Sequence, residues 1–171
     1  MFDFHSTFLN SKLNSDKEVF MEQPLGYEEL DRKNYVCKLF KLLYGLKQAG
    51  RKWYNALCIA LANIGFNQSE ADPAVFYICT GNSITILACY VDDCTITGSS
   101  KELIQLYKDK LKNKYSLTDL GAANWLLEIK ITRNLKACTI SLSQLSYINL
   151  ILMRFNFMDL KPLATPMDPS I

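Results

Sequence analysis

Asp92 and Asp93 stand side by side in Tyr90-Val91-Asp92-Asp93, flanked on both sides by apolar, β-branched runs. Adjacent acids of this kind can do one of two things. They can line a solvated turn, which Asp favours because its side chain bonds nearby backbone. Or they can hold divalent cations: magnesium prefers hard carboxylate oxygens and keeps several waters, so a few acids suffice. Two such ions about 4 Å apart activate an attacking hydroxyl and stabilise a leaving phosphate oxygen. On a regular strand neighbouring side chains point to opposite faces, whereas at a turn both can approach one locus. A third acid from the end of a neighbouring strand would complete the set, and Asp3 in Asp3-Phe4-His5 is placed for that. The residues alone leave the solvated turn and the cation site both open.

The elements that must present these acids follow from pattern. The run Ile84 to Val91 has the length of a buried strand, Cys94 to Gly98 supplies a second, and Gly98-Ser99-Ser100 stops it. The pair predicts a β-hairpin with the acids at its tip. Residues 2–5 read as a strand, Thr7 to Asn10 as a short helix or turn, and residues 19–21 and 35–39 as short strands. A helix is predicted from about Gly50 to Ile64, with Trp53, Leu57, Ala60, Leu61 and Ile64 on its apolar face and Gly65 as its stop. A strand over 74–78 leads to a turn at Gly81-Asn82. Ser100 is the expected N-cap of a helix over 101–115 carrying Leu103, Ile104, Tyr107, Leu111 and Tyr115 on one face. Beyond Gly121 the pattern predicts strands near 125–132 and 139–142. A last helix follows over about 144–155, with Leu145, Ile148, Leu152 and Phe155 inward. Strands and helices mix without regular βαβ alternation, which predicts an α+β fold: an antiparallel sheet with helices packed on one face.

With 171 residues, 49% hydrophobic and 21% charged, the chain can bury the core of one globular domain. A net charge of +2 does not announce a nucleic-acid binder, so any polyanion contact must come from local clusters. Lys47, Arg51 and Lys52 form one; Lys108, Lys110, Lys112 and Lys114 form another, which reads as a solvated helix face. Six cysteines without a CxxC pair, mostly inside apolar runs, read as reduced core residues. With no signal peptide or membrane-length apolar run, the expectation is a soluble, intracellular (cytosolic or nuclear) product with no membrane partner.

Tyr90-Val91-Asp92-Asp93 resembles the signature of reverse transcriptases, and its surroundings resemble the copia-type retrotransposon polymerase. The family pattern recurs in order through Thr7-Phe8-Leu9-Asn10, Val19 to Pro24, Leu43-Tyr44-Gly45-Leu46-Lys47-Gln48-Ala49, Arg51-Lys52-Trp53-Tyr54 and Ser69 to Pro73. After the hairpin come Leu117-Thr118-Asp119-Leu120-Gly121, Leu142-Ser143-Gln144, Lys161-Pro162 and Thr165-Pro166-Met167. The resemblance implies a palm-type sheet over residues 1–160, with 161–171 a connecting tail toward an RNase H domain. It implies RNA-directed DNA polymerase chemistry on an RNA or DNA template-primer with deoxynucleoside triphosphates. Asp3, Asp92 and Asp93 match the catalytic acids and, with the Phe4 backbone carbonyl, the ligands of two Mg2+ ions. Phe8 matches the aromatic gate against the sugar 2′ position, and Tyr44, Gly45 and Lys47 match nucleotide contacts. Arg51, Tyr90 and Trp125 match contacts to nucleic acid, Trp125 within a hairpin over 125–128 that grips the primer end.

Departures accompany the match, Phe2-Asp3-Phe4-His5-Ser6 in place of the commoner valine-containing version among them. Gly50 stands where the family has proline, and Glu128 stands where it has glycine, so Glu128 is strained if φ there is positive. The segment that builds the fingers in the family, and supplies basic residues for the triphosphate, does not precede Asp3 in this sequence. The expectation is therefore a fragment, with a larger polyprotein as its source. The alternative expectation is a catalytically inactive remnant that at most binds nucleic acid.

Overall fold

Alternation is what builds the central hairpin. In the computed structural model, which describes residues 1–13, 18–29, 31 and 34–161, β6 (Ser83–Tyr90) and β7 (Asp93–Gly98) turn alternate residues to the core, with Thr85 and Leu87 buried on one and Cys94 on the other. They pair antiparallel from Tyr90↔Asp93 back to Thr85↔Gly98. Gly98 is required by close approach: a Cβ there would lie 2.6 Å from the Ile84 carbonyl oxygen.

Around this hairpin lie β1 (Phe2–Phe4), β4 (Asn67–Gln68), β5 (Val75–Thr80) and β8 (Leu117–Asp119). The sheet order is β4-β5-β6-β7-β1-β8, and every neighbouring pair is antiparallel. Two further strands, β2 (Phe20–Met21) and β3 (Cys37–Lys38), pair separately. The predicted strand over 35–39 thus shrinks to two residues, and β8 was not anticipated.

The helices cover the buried face. α1 (Ala49–Ile64) buries Ala49, Trp53, Leu57, Ala60 and Leu61, and ends at Gly65 with φ 107. α2 (Lys101–Lys112) starts at Ser100, whose hydroxyl accepts the Leu103 amide, and buries Tyr107, Lys108 and Leu111. Their apolar faces join Phe2, Phe4, Phe76, Leu87 and Cys94 in one core. At its centre Phe4, Trp53 and Tyr115 meet edge to face at 5.2–5.5 Å, pairs worth about 0.5–1.5 kcal/mol each beyond their buried area.

The chain divides into two compact units, the first ending at Gly121 and the second beginning at Ala122. The second holds β9 (Trp125–Leu126), β10 (Ile129–Asn134), β11 (Thr139–Ser143) and α3 (Leu145–Arg154), its sheet ordered β11-β10-β9. The strand predicted near 125–132 is really two, folded at Leu127-Glu128, where φ is 48 and 64. Consecutive positive φ values let a two-residue turn follow strand twist, which is why such turns favour Gly and Asn. Glu128 therefore carries the strain its sequence position foretold. The inward face expected of α3 is not buried: Leu145, Ile148 and Phe155 are exposed and Leu152 only half-buried.

The mixed α/β architecture with antiparallel sheets agrees with the sequence reading. The expected tail beyond Lys161, with its Thr165-Pro166-Met167 motif, lies outside the described residues. No helix of the described residues is long and apolar enough to cross a membrane.

Candidate active site

β1 lies between β7 and β8, and that placement brings the acids together. Asp3 sits directly opposite Asp93, Phe2 opposite Cys94. Phe2 and Cys94 face the core, so alternation turns Asp3 and Asp93 to the other face. The Phe4 amide donates to the Asp92 carbonyl at 3.1 Å, tying β1 to the hairpin tip.

The tip is the two-residue turn Val91-Asp92. Val91 has φ 57, a left-handed conformation that is a genuine outlier for a β-branched residue. Something must hold it there, and Trp53 does: its indole N–H donates to the Val91 carbonyl at 2.8 Å. A buried indole needs a partner for its N–H, and this one spends it fixing the turn that carries Asp92.

On the other side the Tyr44 hydroxyl donates to Asp92 Oδ2 at 3.3 Å, and the Tyr44 ring meets the Phe8 ring edge-on at 4.5 Å. Burial and the neighbouring Asp92 carboxylate push the Tyr44 hydroxyl above its ordinary pKa, against a hydrogen bond from Thr7 that lowers it. Gly45, with φ 88, makes the bend after Tyr44. Asp3 is pushed above the usual carboxylate range by desolvation first, then by the charges of Asp92 and Asp93. Negative charge is thus concentrated where β1 meets β7.

Asp3, Phe8, Tyr44, Asp92 and Asp93 are brought into one region by the fold. Tyr90 closes β6 opposite Asp93 and is exposed. Lys47 and Arg51 are exposed at the entry and first turn of α1. The Phe4 carbonyl accepts the Thr7 hydroxyl at 3.0 Å. Trp125 is exposed in the second unit, paired with Lys130. His5 bridges to β8 and its approach, Nδ1 to the Ser116 hydroxyl at 3.0 Å and Nε2 to the Thr118 hydroxyl at 2.5 Å. Lys108 is a correction: it is buried, not part of a solvated face, and its ammonium donates to both Asp119 carboxylate oxygens at 2.8 and 2.9 Å.

Three carboxylates are hard-oxygen donors of the kind magnesium takes. Among the described residues, however, no three His, Cys, Asp or Glu side chains form a ready-made metal cage. Magnesium does not need one: it is commonly bound by one or two carboxylates together with waters and substrate phosphates. The donor chemistry fits; the closed ligand set is not preassembled.

The chain matches the family model described as reverse transcriptase (RNA-dependent DNA polymerase) over residues 1–169. It is 42% identical to the Retrovirus-related Pol polyprotein from transposon RE1 of Arabidopsis thaliana, over 98% of this chain and 11% of that protein. It is 39% identical to the corresponding polyprotein from transposon TNT 1-94 of Nicotiana tabacum, over 96% of this chain and 12% of that one. A putative transposon Ty5-1 protein of Saccharomyces cerevisiae is 31% identical over 85% of this chain and 46% of its own length. The chain thus spans about a tenth of the two plant polyproteins. No solved structure matches it.

Proposed function

The chain belongs to the reverse transcriptase (RNA-dependent DNA polymerase) family, and on that premise we propose that it carries the catalytic acids of a copia-type retrotransposon polymerase within a longer Pol polyprotein. The reaction is RNA-directed DNA synthesis: a primer 3′-hydroxyl displaces pyrophosphate from a deoxynucleoside triphosphate. The observation that carries this reading is Asp3 in register with Asp93, with Asp92 tied to the same strand through the Phe4 amide. Asp3 and Asp92, with Asp93 beside them and the Phe4 carbonyl, which also accepts the Thr7 hydroxyl, as a further donor, would hold two magnesium ions. Bound there, those ions would supply charge neutralisation at the phosphates and activation of the 3′-hydroxyl.

The remaining roles belong to protein side chains. Phe8, braced by Tyr44, would crowd the sugar 2′ position and favour deoxynucleotides. Tyr44-Gly45 would lie against the nascent base pair and orient Asp92 through the tyrosine hydroxyl. Lys47 would meet the triphosphate, while Arg51, Tyr90 and Trp125 would contact template-primer, positioning it without reading sequence.

The test is primer extension on an RNA template with deoxynucleotides and magnesium. Extension by the chain, reduced at least about a hundredfold by Asp92→Asn, supports the reading; removal of charge stabilisation at a reacting centre costs on that order. A chain that never extends a primer sinks it. A second reading, a remnant that binds nucleic acid without catalysis, draws on Glu128, whose φ of 64 strains the turn beside Trp125. It is supported if primer-template binds, weakens with salt as phosphate contacts require, and is never extended.

A further inference from the structure

Behind the acids, on the core face of the same hairpin, two thiols face each other. Cys89 on β6 is in register with Cys94 on β7, one pair back from Tyr90↔Asp93. The Cys89 amide donates to the Ala74 carbonyl at 3.0 Å, away from β7. The pair is therefore a non-hydrogen-bonded site of the β6–β7 ladder, where Cα atoms stand about 4.5 Å apart and side chains come closest. That separation lies within the roughly 4.4–6.8 Å a disulfide spans. None of the other free cysteines has this arrangement among the paired strand residues: Cys79, for instance, faces Ile84 across its ladder.

The two thiols differ in access. Cys94 is fully buried, opposite Phe2. Cys89 is half-buried and forms part of the wall of a cleft of about 250 Å³ between α1 and the hairpin, with Gly50, Trp53, Tyr54, Leu57 and Val91. Gly50 adds no side chain to that wall. The common role for a buried cysteine is that of a small apolar side chain. A register-matched partner and an open approach to only one of the two sulfurs go beyond that role.

We propose that Cys89 and Cys94 are an oxidisable pair, entered at Cys89 through this cleft by a small-molecule disulfide and closed into a cross-strand disulfide. The Cys89 thiolate attacks one sulfur of the incoming disulfide; its S–S bond breaks and the departing half leaves as a thiolate that takes up a proton. Cys94 then attacks the Cys89 sulfur; the Cys89–S bond to the second half breaks, and that half takes up the Cys94 proton and leaves as a thiol. The protein loses two protons and two electrons, and the small disulfide is reduced to two thiols. The product would pin β6 to β7 directly behind Asp93. The proposal does not depend on polymerase activity.

The experiment exposes the folded chain to oxidised glutathione, blocks remaining thiols with iodoacetamide under denaturing conditions, and maps the product after chymotryptic cleavage. Cleavage after Tyr90 separates the two cysteines, so only a disulfide keeps their peptides joined. The expected result is a Cys89–Cys94 linked pair without retained glutathione. Cys94→Ala should stop at a glutathione adduct on Cys89, and Cys89→Ala should leave Cys94 unmodified. Glutathione retained on wild-type Cys89, or alkylation of both Cys89 and Cys94 while Cys79 and Cys138 carry the adducts, overturns the proposal. The wild-type map decides the matter alone if Cys94→Ala does not fold.

Discussion

The first unit, through Gly121, and the second, from Ala122, are written in similar apolar alphabets and use them differently. In the first, strands separated by long stretches of sequence close over one core of aromatic and aliphatic side chains. In the second, among the described residues, no side chain is buried, although β11 and α3 carry Ile140, Leu142, Leu145 and Ile148. Amphipathic pattern alone therefore does not make a core. Burial supplies most of folding's driving force, so stability and order in this chain should be concentrated in the first unit. The candidate acids sit there, on the sheet that the core supports.

The largest expected effect tests that concentration. Trp53→Ala removes a side chain 2% exposed together with the N–H bond to Val91, and should cost about 3–5 kcal/mol in urea denaturation. Leu145→Ala, at a residue 62% exposed, should stay within about 0.5 kcal/mol. Equal losses would break the comparison.

Next comes Lys108→Met. It strands the Asp119 carboxylate, which is only partly buried and keeps the Gly121 amide, so a loss of about 1–2 kcal/mol is expected. The Lys108 ammonium holds the Asp119 pKa below the usual carboxylate value. As pH falls below about 4 the unfolded chain takes up that proton first. Wild type should thus lose this contribution as pH falls through the folded pKa, while Lys108→Met should have little of it to lose. Denaturation midpoints measured stepwise from neutral pH to strong acid would reveal a missing difference.

Glu128→Gly addresses the second unit on its own terms. Relieving a left-handed non-glycine residue is worth about 1 kcal/mol, visible as severalfold slower hydrogen exchange in β9 and β10. Unchanged exchange there would mean that the turn does not limit the unit's order.

The smallest effect returns to the site. Asp3 has a pKa raised by desolvation and by Asp92 and Asp93, so its charge costs stability at neutral pH. Wild type should gain stability as pH falls through that raised pKa toward the unfolded value. Asp3→Asn should gain it at every pH, raising the urea midpoint slightly at pH 7. A midpoint lowered at pH 7 would show that the Asp3 charge carries no such cost.

What was legible in the sequence is what is local. The β6–β7 hairpin, the Ser100 cap and the Gly65 stop each depend on residues a few positions apart; the cap and the stop are found where the pattern puts them, while the hairpin turn falls one residue earlier, at Val91-Asp92, and places Asp93 on β7 rather than at the tip. β8 escaped notice because three residues carry no periodicity, and its partner β1 is at the other end of the unit. Lys108 looked solvated because its partner Asp119 lies beyond the helix end and meets it only in the tertiary fold. At the site, Asp3, Asp92 and Asp93 were legible as types and as a family match. The hydroxyl of Tyr44 on Asp92 and the indole of Trp53 on Val91 were not. One signal was available: a tryptophan on a buried helix face must direct its N–H somewhere.

The position of β1 also sets a clock. Phe2 pairs with Cys94 and with Asp119, so the strand bearing Asp3 is made more than ninety residues before its first sheet neighbour exists. At a synthesis rate of about 5–20 residues per second, that wait is on the order of 10 s. Through that interval Phe2 and Phe4 lack both partner strands, β7 and β8, and the acid between them lacks Asp92 and Asp93. The candidate active site is therefore assembled by the last strands of the unit to be translated, not the first.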